Sequence, residues 1–206
     1  MAFTKEELTK TYTTIGASNH SDKDRVENDY YATSPLAVKE LLTRETFNKK
    51  IWECAVGGGH ISKVLEAAGY EVFKSDIIQR IPDTEIIDFL NLPDSYIWDG
   101  DIITNPPYTQ CQAFVEKALS VVKPGAKVVM YLKLTFLEGI ARQKLFQKNP
   151  PKYVYVAAKR MGCGRNGVFQ DQKNEYEAGA IAFAWYVWEK GFTGEPTIRW
   201  FNTKIN

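Results

Sequence analysis

The chain alternates between strand-like segments and stretches whose apolar residues recur at helical spacing. Strand-like segments that end at polar residues occupy 50–53, 71–76 and 101–104. Between and after them, 61–68 and 112–122 carry apolar residues in the pattern of amphipathic helices. Strands that alternate with helices predict βαβ units, and therefore a mostly parallel sheet covered by helices on both faces.

The last quarter of the chain predicts a different strand arrangement. Two apolar segments, 153–157 and 180–188, flank a glycine-rich loop and are expected to pair as an antiparallel hairpin, with 197–201 as a short edge element. Residues 1–28 are polar and predict a flexible arm, whereas 29–206 predict a single domain. The expected fold class is therefore α/β: a doubly wound, Rossmann-like domain whose mostly parallel sheet includes one antiparallel hairpin strand. Such sheets bind ligands at the carboxyl ends of their first strands.

The tetrapeptide 105–108, Asn-Pro-Pro-Tyr, directly follows the predicted strand 101–104. Its two prolines fix the backbone, remove two N–H donors and keep Asn105 out of a helix. We expect a stiff loop that presents an amide, the Pro106 carbonyl and an aromatic ring to one cavity. The two oxygens can accept hydrogen bonds from a planar NH2 group, and the Tyr108 ring can stack on the group that carries it. The alternative is an ordinary proline-rich turn with a buried tyrosine.

A glycine-rich loop lies upstream of this tetrapeptide. In it, Glu53, Ala55, Gly57 and Gly59 join a predicted strand to a predicted helix. Glycines let the backbone approach a ligand closely, and the helix N-terminus offers unbonded N–H groups. The dinucleotide fingerprint requires glycine where the chain has Ser62, so a nicotinamide cofactor is disfavoured. A merely flexible turn is the alternative.

Acidic residues follow the next two strand-like segments. Asp76 lies 19 residues after Gly57, and a carboxylate at that place suits the hydroxyls of a ribose. Asp88 and Phe89 come next and could meet an adenine ring. Asp88 could instead cap a helix or turn.

Upstream of the glycine loop, Tyr31 and Thr33 precede the dipeptide Ser34-Pro35. Ser34 can act as an N-cap and Pro35 as the first residue of a helix. A simple helix start therefore explains this segment as well as a ligand contact does.

In their order and spacing, these segments resemble the sequence motifs of the N6-adenine DNA methyltransferases. The resemblance implies the S-adenosylmethionine-dependent methyltransferase fold, that cofactor, and an adenine flipped out of DNA as substrate. It implies that Asn105 and the Pro106 carbonyl hold the target amine while Tyr108 stacks on the base. It also implies a cofactor site at Tyr31, Thr33, Glu53, Ala55, Gly57, Gly59, Asp76, Asp88, Phe89 and Asn105.

Charge identifies one candidate surface for nucleic acid. The chain has 206 residues and a net charge of +1, which does not by itself indicate a basic surface. Lys159, Arg160 and Arg165 lie among glycines in 158–169 and are the candidate contacts to a phosphate backbone. A solvated hairpin loop is the alternative. DNA is the expected partner, with RNA as a second candidate and a homodimer as a further option.

Three well-separated cysteines predict a reducing, cytoplasmic environment, and neither they nor the two histidines have metal-ligand spacing. No metal is therefore expected. No segment approaches the roughly 20 apolar residues of a membrane span. No signal peptide is expected, because residues 1–24 are polar and lack the apolar stretch that such peptides contain.

The sequence leaves several functions open. Other planar amines fit the same tetrapeptide: adenine in RNA, N4 of cytosine, or a protein glutamine. A protein that binds S-adenosylmethionine or nucleic acid without turnover is the alternative from another class. The interval between Asp76 and Asn105 has no room for a target-recognition domain. We therefore expect a small orphan, phage-type or restriction-modification enzyme that recognises DNA through the 159–175 loop, the N-terminal arm or a second subunit.

Overall fold

The computed structural model describes residues 31–158, 161, 163–165 and 181–201. In chain order the strands are β1 Tyr31–Thr33, β2 Lys50–Glu53, β3 Glu71–Asp76, β4 Glu85–Ile86, β5 Asp101–Thr104, β6 Lys127–Lys133, β7 Tyr153–Ala157, β8 Cys163–Arg165, β9 Phe183–Glu189 and β10 Thr197–Phe201. The helices are α1 Pro35–Leu42, α2 His60–Ala67, α3 Cys111–Val121 and α4 Ile140–Lys148. Two 3-10 turns cover Phe89–Asn91 and Leu134–Leu137. The arm expected at 1–28 lies outside the described residues.

Among the described residues, eight strands form one sheet in the order β10-β7-β9-β6-β5-β2-β3-β4. Strand β9 is antiparallel to both of its neighbours, and every other pair is parallel. The predicted fold class and the β7–β9 hairpin are therefore confirmed, and β10 is the predicted edge element. From β2 the chain continues to β3 on one side and to β5 on the other, so the topological switch point lies between β2 and β5.

The two faces of the sheet are buried in separate cores, as a doubly wound fold requires. Ile102 and Ile103, successive residues of β5, are both fully buried but belong to cores on opposite sides of the sheet. This follows from the two-residue repeat of a strand. Helix α3 covers the first core, while α1 and α2 cover the second. Burial of one such isoleucine contributes about 1.5–3 kcal/mol, so the central strand is a strongly stabilised support for the loop that follows it.

Helix α1 differs from the sequence prediction in one detail. Pro35 is its first residue, as expected, but the Ser34 side chain makes no capping hydrogen bond. The Ser34 backbone carbonyl instead accepts from the N–H groups of Ala37 and Val38. Proline removes one of the N-terminal donors that a side-chain cap usually satisfies, and the buried Ser34 side chain is not used for the others.

None of the helices in the described residues is both long enough and apolar enough to cross a membrane.

Candidate functional site

A cavity of about 330 Å³ opens at the carboxyl ends of β2, β3 and β5. Its volume falls within the roughly 300–1,000 Å³ of small-molecule sites, and its position is the topological switch point at which such folds bind ligands. Most of the predicted cofactor residues line it: Tyr31, Thr33, Glu53, Ala55, Gly57, Asp76, Asp88, Phe89 and Asn105. Gly59, Pro106 and Tyr108 do not belong to the lining.

The glycine loop is fixed to strand β3 by two hydrogen bonds. The Val56 N–H donates to the Ser75 carbonyl at 3.0 Å, and the Gly57 N–H donates to Asp76 Oδ2 at 2.9 Å. Gly57 and Gly59 have φ angles of +52° and +72°, which side chains rarely adopt. A Cβ on Gly59 would also lie 2.7 Å from Ile81 Cδ1. The loop is therefore an ordered turn that needs glycine, and not a merely flexible one.

Glu53 brings a carboxyl group to the buried end of the cavity. Its side chain is 2% exposed, and Oε2 accepts a hydrogen bond from the Ser62 N–H in the first turn of α2 at 2.8 Å. Burial raises the pKa of Glu53 well above its ordinary value, and the Ser62 hydrogen bonds oppose that rise. A cationic group in the cavity would favour the ionised carboxylate, because opposite charges stabilise each other most where water is excluded.

Asp76 ends β3 and is partly engaged by protein groups. Oδ2 accepts from Gly57, while Oδ1 accepts from the Ile78 N–H at 3.1 Å and faces Arg80 Nη1 at 3.3 Å. The carboxylate therefore links the glycine loop to the segment after β3 and at the same time lines the cavity. A ribose placed here would meet both the carboxylate and the guanidinium.

Asp88 caps the 3-10 turn that follows β4. Its Oδ1 accepts from the Leu90 N–H at 3.2 Å and its Oδ2 accepts from Asn91 Nδ2 at 2.7 Å. The capping alternative raised by the sequence is thus what this exposed side chain does, although Asp88 also lines the cavity. Phe89 is buried between Trp52 and Phe114, with ring centroids 5.2 Å from each. Its ring supports the wall from the core.

The Asn-Pro-Pro-Tyr loop leaves the end of β5 at the rim of the cavity. Asn105 Nδ2 donates to the Tyr31 carbonyl of β1 at 2.6 Å, which fixes the plane of the amide. Pro107 lines the cavity, whereas Pro106 is buried outside it. The Tyr108 ring stacks on Tyr31 at 5.2 Å between centroids. The structure thus brings Asn105 together with the cofactor residues and holds Tyr108 beside them.

Strand β1 forms the wall opposite the glycine loop. Thr33 is 2% exposed, lines the cavity, and its Oγ1 has no hydrogen-bond partner among the described residues. A buried hydroxyl is unusual unless it forms a hydrogen bond with a ligand or a water molecule. β1 also pairs antiparallel with β8, which sets Tyr31 opposite Arg165. The predicted backbone contacts Lys159 and Arg160 lie outside the described residues.

The structure adds four polar residues to the wall that the sequence did not indicate: His60, Arg80, Asn91 and Gln110. His60 is the first residue of α2, and burial lowers the pKa of its imidazole. The sequence motifs do not include these residues. Only their positions, one to four residues after Gly59, Asp76, Asp88 and Tyr108, could have suggested them. Within the described part of the chain, no three His, Cys, Asp or Glu side chains are grouped so as to hold a metal ion.

Comparison with known proteins gives matches in structure only. No protein-family model matches the chain, and no curated protein matches its sequence. An assigned RNA methyltransferase from Pyrococcus horikoshii superposes with a TM-score of 0.54 at 13% identity, over 93% of this chain and 100% of that one. A predicted O-methyltransferase from Agrobacterium tumefaciens gives 0.56 at 14% identity, over 83% and 89%.

The methyltransferase subunit of a type I restriction-modification system from Streptococcus thermophilus is also similar. It superposes with a TM-score of 0.54 at 13% identity, over 84% of this chain and 47% of that one. The three proteins differ in substrate class, and at these identities the likeness extends to the fold alone. The chain therefore has the Rossmann-like fold of the class I S-adenosylmethionine-dependent methyltransferases.

Proposed function

We propose that this protein transfers the methyl group of S-adenosylmethionine to the N6 amine of an adenine flipped out of DNA. The observation that carries the proposal is the position of Asn105. Its amide lies in the wall of the same cavity as Glu53 and Asp76, at the end of a central strand. A group able to hold an amine is thus adjacent to a pocket able to hold a nucleoside cofactor.

The charge of the wall suits S-adenosylmethionine. That molecule carries an α-ammonium and a sulfonium cation, and the wall offers the carboxyl groups of Glu53, Asp76 and Asp88 against the single guanidinium of Arg80. Thr33 supplies a buried hydroxyl that has no hydrogen-bond partner among the described residues. We assign Glu53 and Thr33 to the methionine end, where the cavity is most enclosed.

The other end of the cavity suits a nucleoside. Asp76 lies where a carboxylate can accept from ribose hydroxyls. Ile87, Phe89 and Phe114 supply apolar surface for an adenine ring, with Asp88 at its edge. Asp88 retains its capping role in this arrangement, since a carboxylate can accept several hydrogen bonds.

S-adenosylmethionine, when bound, would supply an electrophilic methyl group: a new N–C bond would replace the S–C bond, S-adenosylhomocysteine would leave, and the methylated amine would release one proton to solvent. In the proposed complex, Asn105 Oδ1 and the Pro106 carbonyl accept the two N–H bonds of the target amine. These bonds favour a pyramidal nitrogen whose lone pair faces the methyl group. Asn105 and Pro106 thus act by positioning, which can supply about 7–11 kcal/mol of a barrier. The base must leave the duplex first, because its amine is out of reach inside the stack.

Tyr108 is the proposed stacking partner of the flipped base. In the described structure one neighbour of its ring is Tyr31, and Lys133 Nζ lies 4.6 Å from the ring centroid. The Lys133 ammonium is at the end of a long flexible side chain, so it can move away from the Tyr108 ring when a base arrives. Lys159, Arg160 and Arg165 are proposed to contact the backbone of the bound DNA. The test is to replace all three with neutral residues and to measure how DNA binding by this variant depends on salt.

The test compares Asn105→Ala with Gln112→Ala, an amide of α3 that lies outside the cavity lining and donates to Glu116 Oε1. Purified protein is incubated with labelled S-adenosylmethionine and adenine-containing DNA, and the nucleosides are separated by mass spectrometry. We expect N6-methyladenine from the parent protein and at least a tenfold loss of turnover in Asn105→Ala, equivalent to about 1.4 kcal/mol. Cofactor affinity should change little in Asn105→Ala, and turnover should change little in Gln112→Ala.

The same assay separates the remaining substrates. If the product is N4-methylcytosine, the substrate is cytosine and not adenine. If the label appears in RNA or protein but not in DNA, the substrate is an amine of that RNA or protein. Cofactor binding without label in any of these pools would instead support a binding protein without turnover.

A further inference from the structure

Helix α4 and the turn before it present a surface that the proposed cofactor and amine site does not use. The inference drawn from it rests on the proposed function, because it names how the DNA is held. Between Gly139 and Gln170 the sequence contains seven Lys or Arg and no Asp or Glu. Since the whole chain has a net charge of only +1, the remainder of the protein is net acidic. The positive charge is thus concentrated in one run, which begins at α4.

The outward side of α4 is a regular cationic stripe. Ile140, Lys144 and Lys148 are exposed and four residues apart, so they lie on one side of the helix, at intervals of about 6 Å along its axis. None of the described residues forms a salt bridge with Lys144 or Lys148. The inward side is occupied: Leu145 is buried and Phe146 packs against the core.

An apolar tip stands at the N-terminal end of this stripe. Ile140 is 88% exposed and Leu137 is 40% exposed. Ile140 is the most exposed large apolar side chain among the described residues, and large apolar side chains are what proteins insert between base steps. The apolar area consists of two side chains, and the exposed residues that follow at four-residue intervals along α4 are the lysines Lys144 and Lys148, an arrangement that suits a nucleic acid.

The tip is held rigidly. Arg142 Nε donates to the Glu138 carbonyl at 2.7 Å, and Arg142 Nη2 donates to the Thr135 carbonyl at 3.3 Å. The same guanidinium lies 5.1 Å from the centroid of the Phe136 ring, which is buried. These contacts fix the turn to the first residues of α4, so Leu137 and Ile140 project from an ordered support.

The stripe begins next to the amine-binding loop. The turn Leu134–Leu137 directly follows β6, whose last residue Lys133 lies over the Tyr108 ring. Burial raises the pKa of the Cys111 thiol, and Arg142 and Lys133 act on it in the opposite direction. Lys133 at the end of β6 and Arg142 of α4 are therefore within electrostatic reach of Cys111, which begins α3 three positions after Tyr108.

We propose that α4 is a DNA-docking helix, in which Lys144 and Lys148 contact backbone phosphates beside the target base and Ile140 enters the stack from which that base has left. Lysines give a sequence-independent attraction to phosphate. An apolar wedge lowers the cost of unstacking because it covers the exposed faces of the neighbouring bases. The helix thus supplies part of the DNA surface for which the chain has no separate domain between Asp76 and Asn105.

The phosphate contacts are tested with Lys144→Gln/Lys148→Gln against Lys39→Gln/Lys50→Gln, two exposed lysines elsewhere on the protein. Binding of a fluorescent 20-base-pair duplex is followed by anisotropy from low to moderate salt, with circular dichroism as a check of folding. Each lost phosphate contact should lower the slope of log K against log salt by about 0.9. We expect the slope to fall by about 1.8 for the α4 pair, because two phosphate contacts are lost, and to stay unchanged for the control pair.

The wedge is tested with Ile140→Ala against Ile97→Ala, another exposed isoleucine. The reporter is 2-aminopurine placed at the target adenine of a duplex that the parent protein methylates. Its fluorescence rises when the base leaves the stack. We expect Ile140→Ala to lose most of that rise while keeping the parental salt slope, and Ile97→Ala to keep both.

Two results would overturn the docking helix: an α4 lysine pair with the parental salt slope, or an Ile140→Ala variant with the parental fluorescence rise. Because duplex binding is measured without methyl transfer, the phosphate contacts of α4 and the proposed function can fail separately. Duplex binding that depends on Lys144 and Lys148, without methylation of any DNA, would contradict the proposed function alone. A parent protein that binds no duplex would contradict both.

Discussion

At the scale of single residues, Glu53 combines a cost in stability with a role in binding. Burial raises the pKa of this carboxyl, which means that the folded protein binds the proton more tightly than the unfolded chain does. The stability from this group is therefore complete below its unfolded pKa of about 4.5 and is lost as the pH rises through the higher folded pKa. At pH values above the folded pKa, the ionised carboxyl is therefore a cost to the stability of the fold.

Glu53→Gln should therefore separate stability from binding. The amide oxygen can still accept from the Ser62 N–H, and no charge is buried. We expect Glu53→Gln to have a higher unfolding free energy than the parent protein at pH 8, seen as a higher melting temperature. Near pH 4 the two proteins should melt together.

The same variant should bind S-adenosylmethionine more weakly in calorimetry, because the α-ammonium group loses its carboxylate partner. An unchanged affinity would remove Glu53 from the methionine end of the site. An unchanged melting temperature at pH 8 would mean that the carboxyl is not destabilised by burial.

At the scale of elements, the turn between β2 and α2 depends on its backbone conformation. Gly59 adopts a left-handed φ of +72°, and an added Cβ would approach Ile81 Cδ1 to 2.7 Å. Gly69, at the other end of α2, has a φ of +91° with nothing within 4 Å of an added Cβ. The two glycines share the conformational requirement, and only Gly59 combines it with a close neighbour.

Gly59→Ala and Gly69→Ala form a matched pair for this reason. Each should lose about 1–2 kcal/mol of stability from the left-handed conformation, measured by urea unfolding. Only Gly59→Ala should also weaken S-adenosylmethionine binding, since Ile81 or the loop must move to admit the methyl group. Equal cofactor affinity in the two variants would show that the loop accommodates the added methyl group without a change in the cofactor site.

At the scale of the whole molecule, Glu45 ties the segment after α1 to two strands of the sheet. Its carboxylate accepts from Lys127 Nζ at 2.6 Å and from the Tyr155 hydroxyl. Burial, with help from Glu45, raises the pKa of Tyr155, so this hydroxyl remains a donor. The three side chains connect α1 to β6 and β7 at positions far apart in sequence.

Glu45→Ala should lower the unfolding free energy by about 3 kcal/mol, the low end for removal of one partner from a buried pair, because Lys127 keeps 20% exposure. Glu66→Ala is the control, since its ion pair with Lys74 lies closer to the surface and should contribute about 1 kcal/mol or less. Denaturant unfolding of both variants measures the difference. Similar losses would show that the Glu45 cluster is no more than a surface contact.

The sequence by itself determined the element types and the places where ligand chemistry collects. The short apolar segment of β5 and the helical spacing of apolar residues in α3 are local properties, so the sequence alone predicts a strand and a helix there. Asn105, Gly57 and Asp76 lie just after predicted strands, and parallel strands bring such positions to one edge. The pattern was therefore sufficient to place them on one side of the sheet.

Only the tertiary structure decided how those residues are used. Asp88 caps its own turn, Pro106 lies outside the cavity lining, and Tyr108 stacks on Tyr31, because each side chain meets neighbours that are distant in sequence. The exposure of Ile140 and the shared side of Lys144 and Lys148 likewise depend on how α4 packs. Hydrophobic period and proline chemistry act within a few residues, whereas burial and contact arise only when the sheet brings separate segments together.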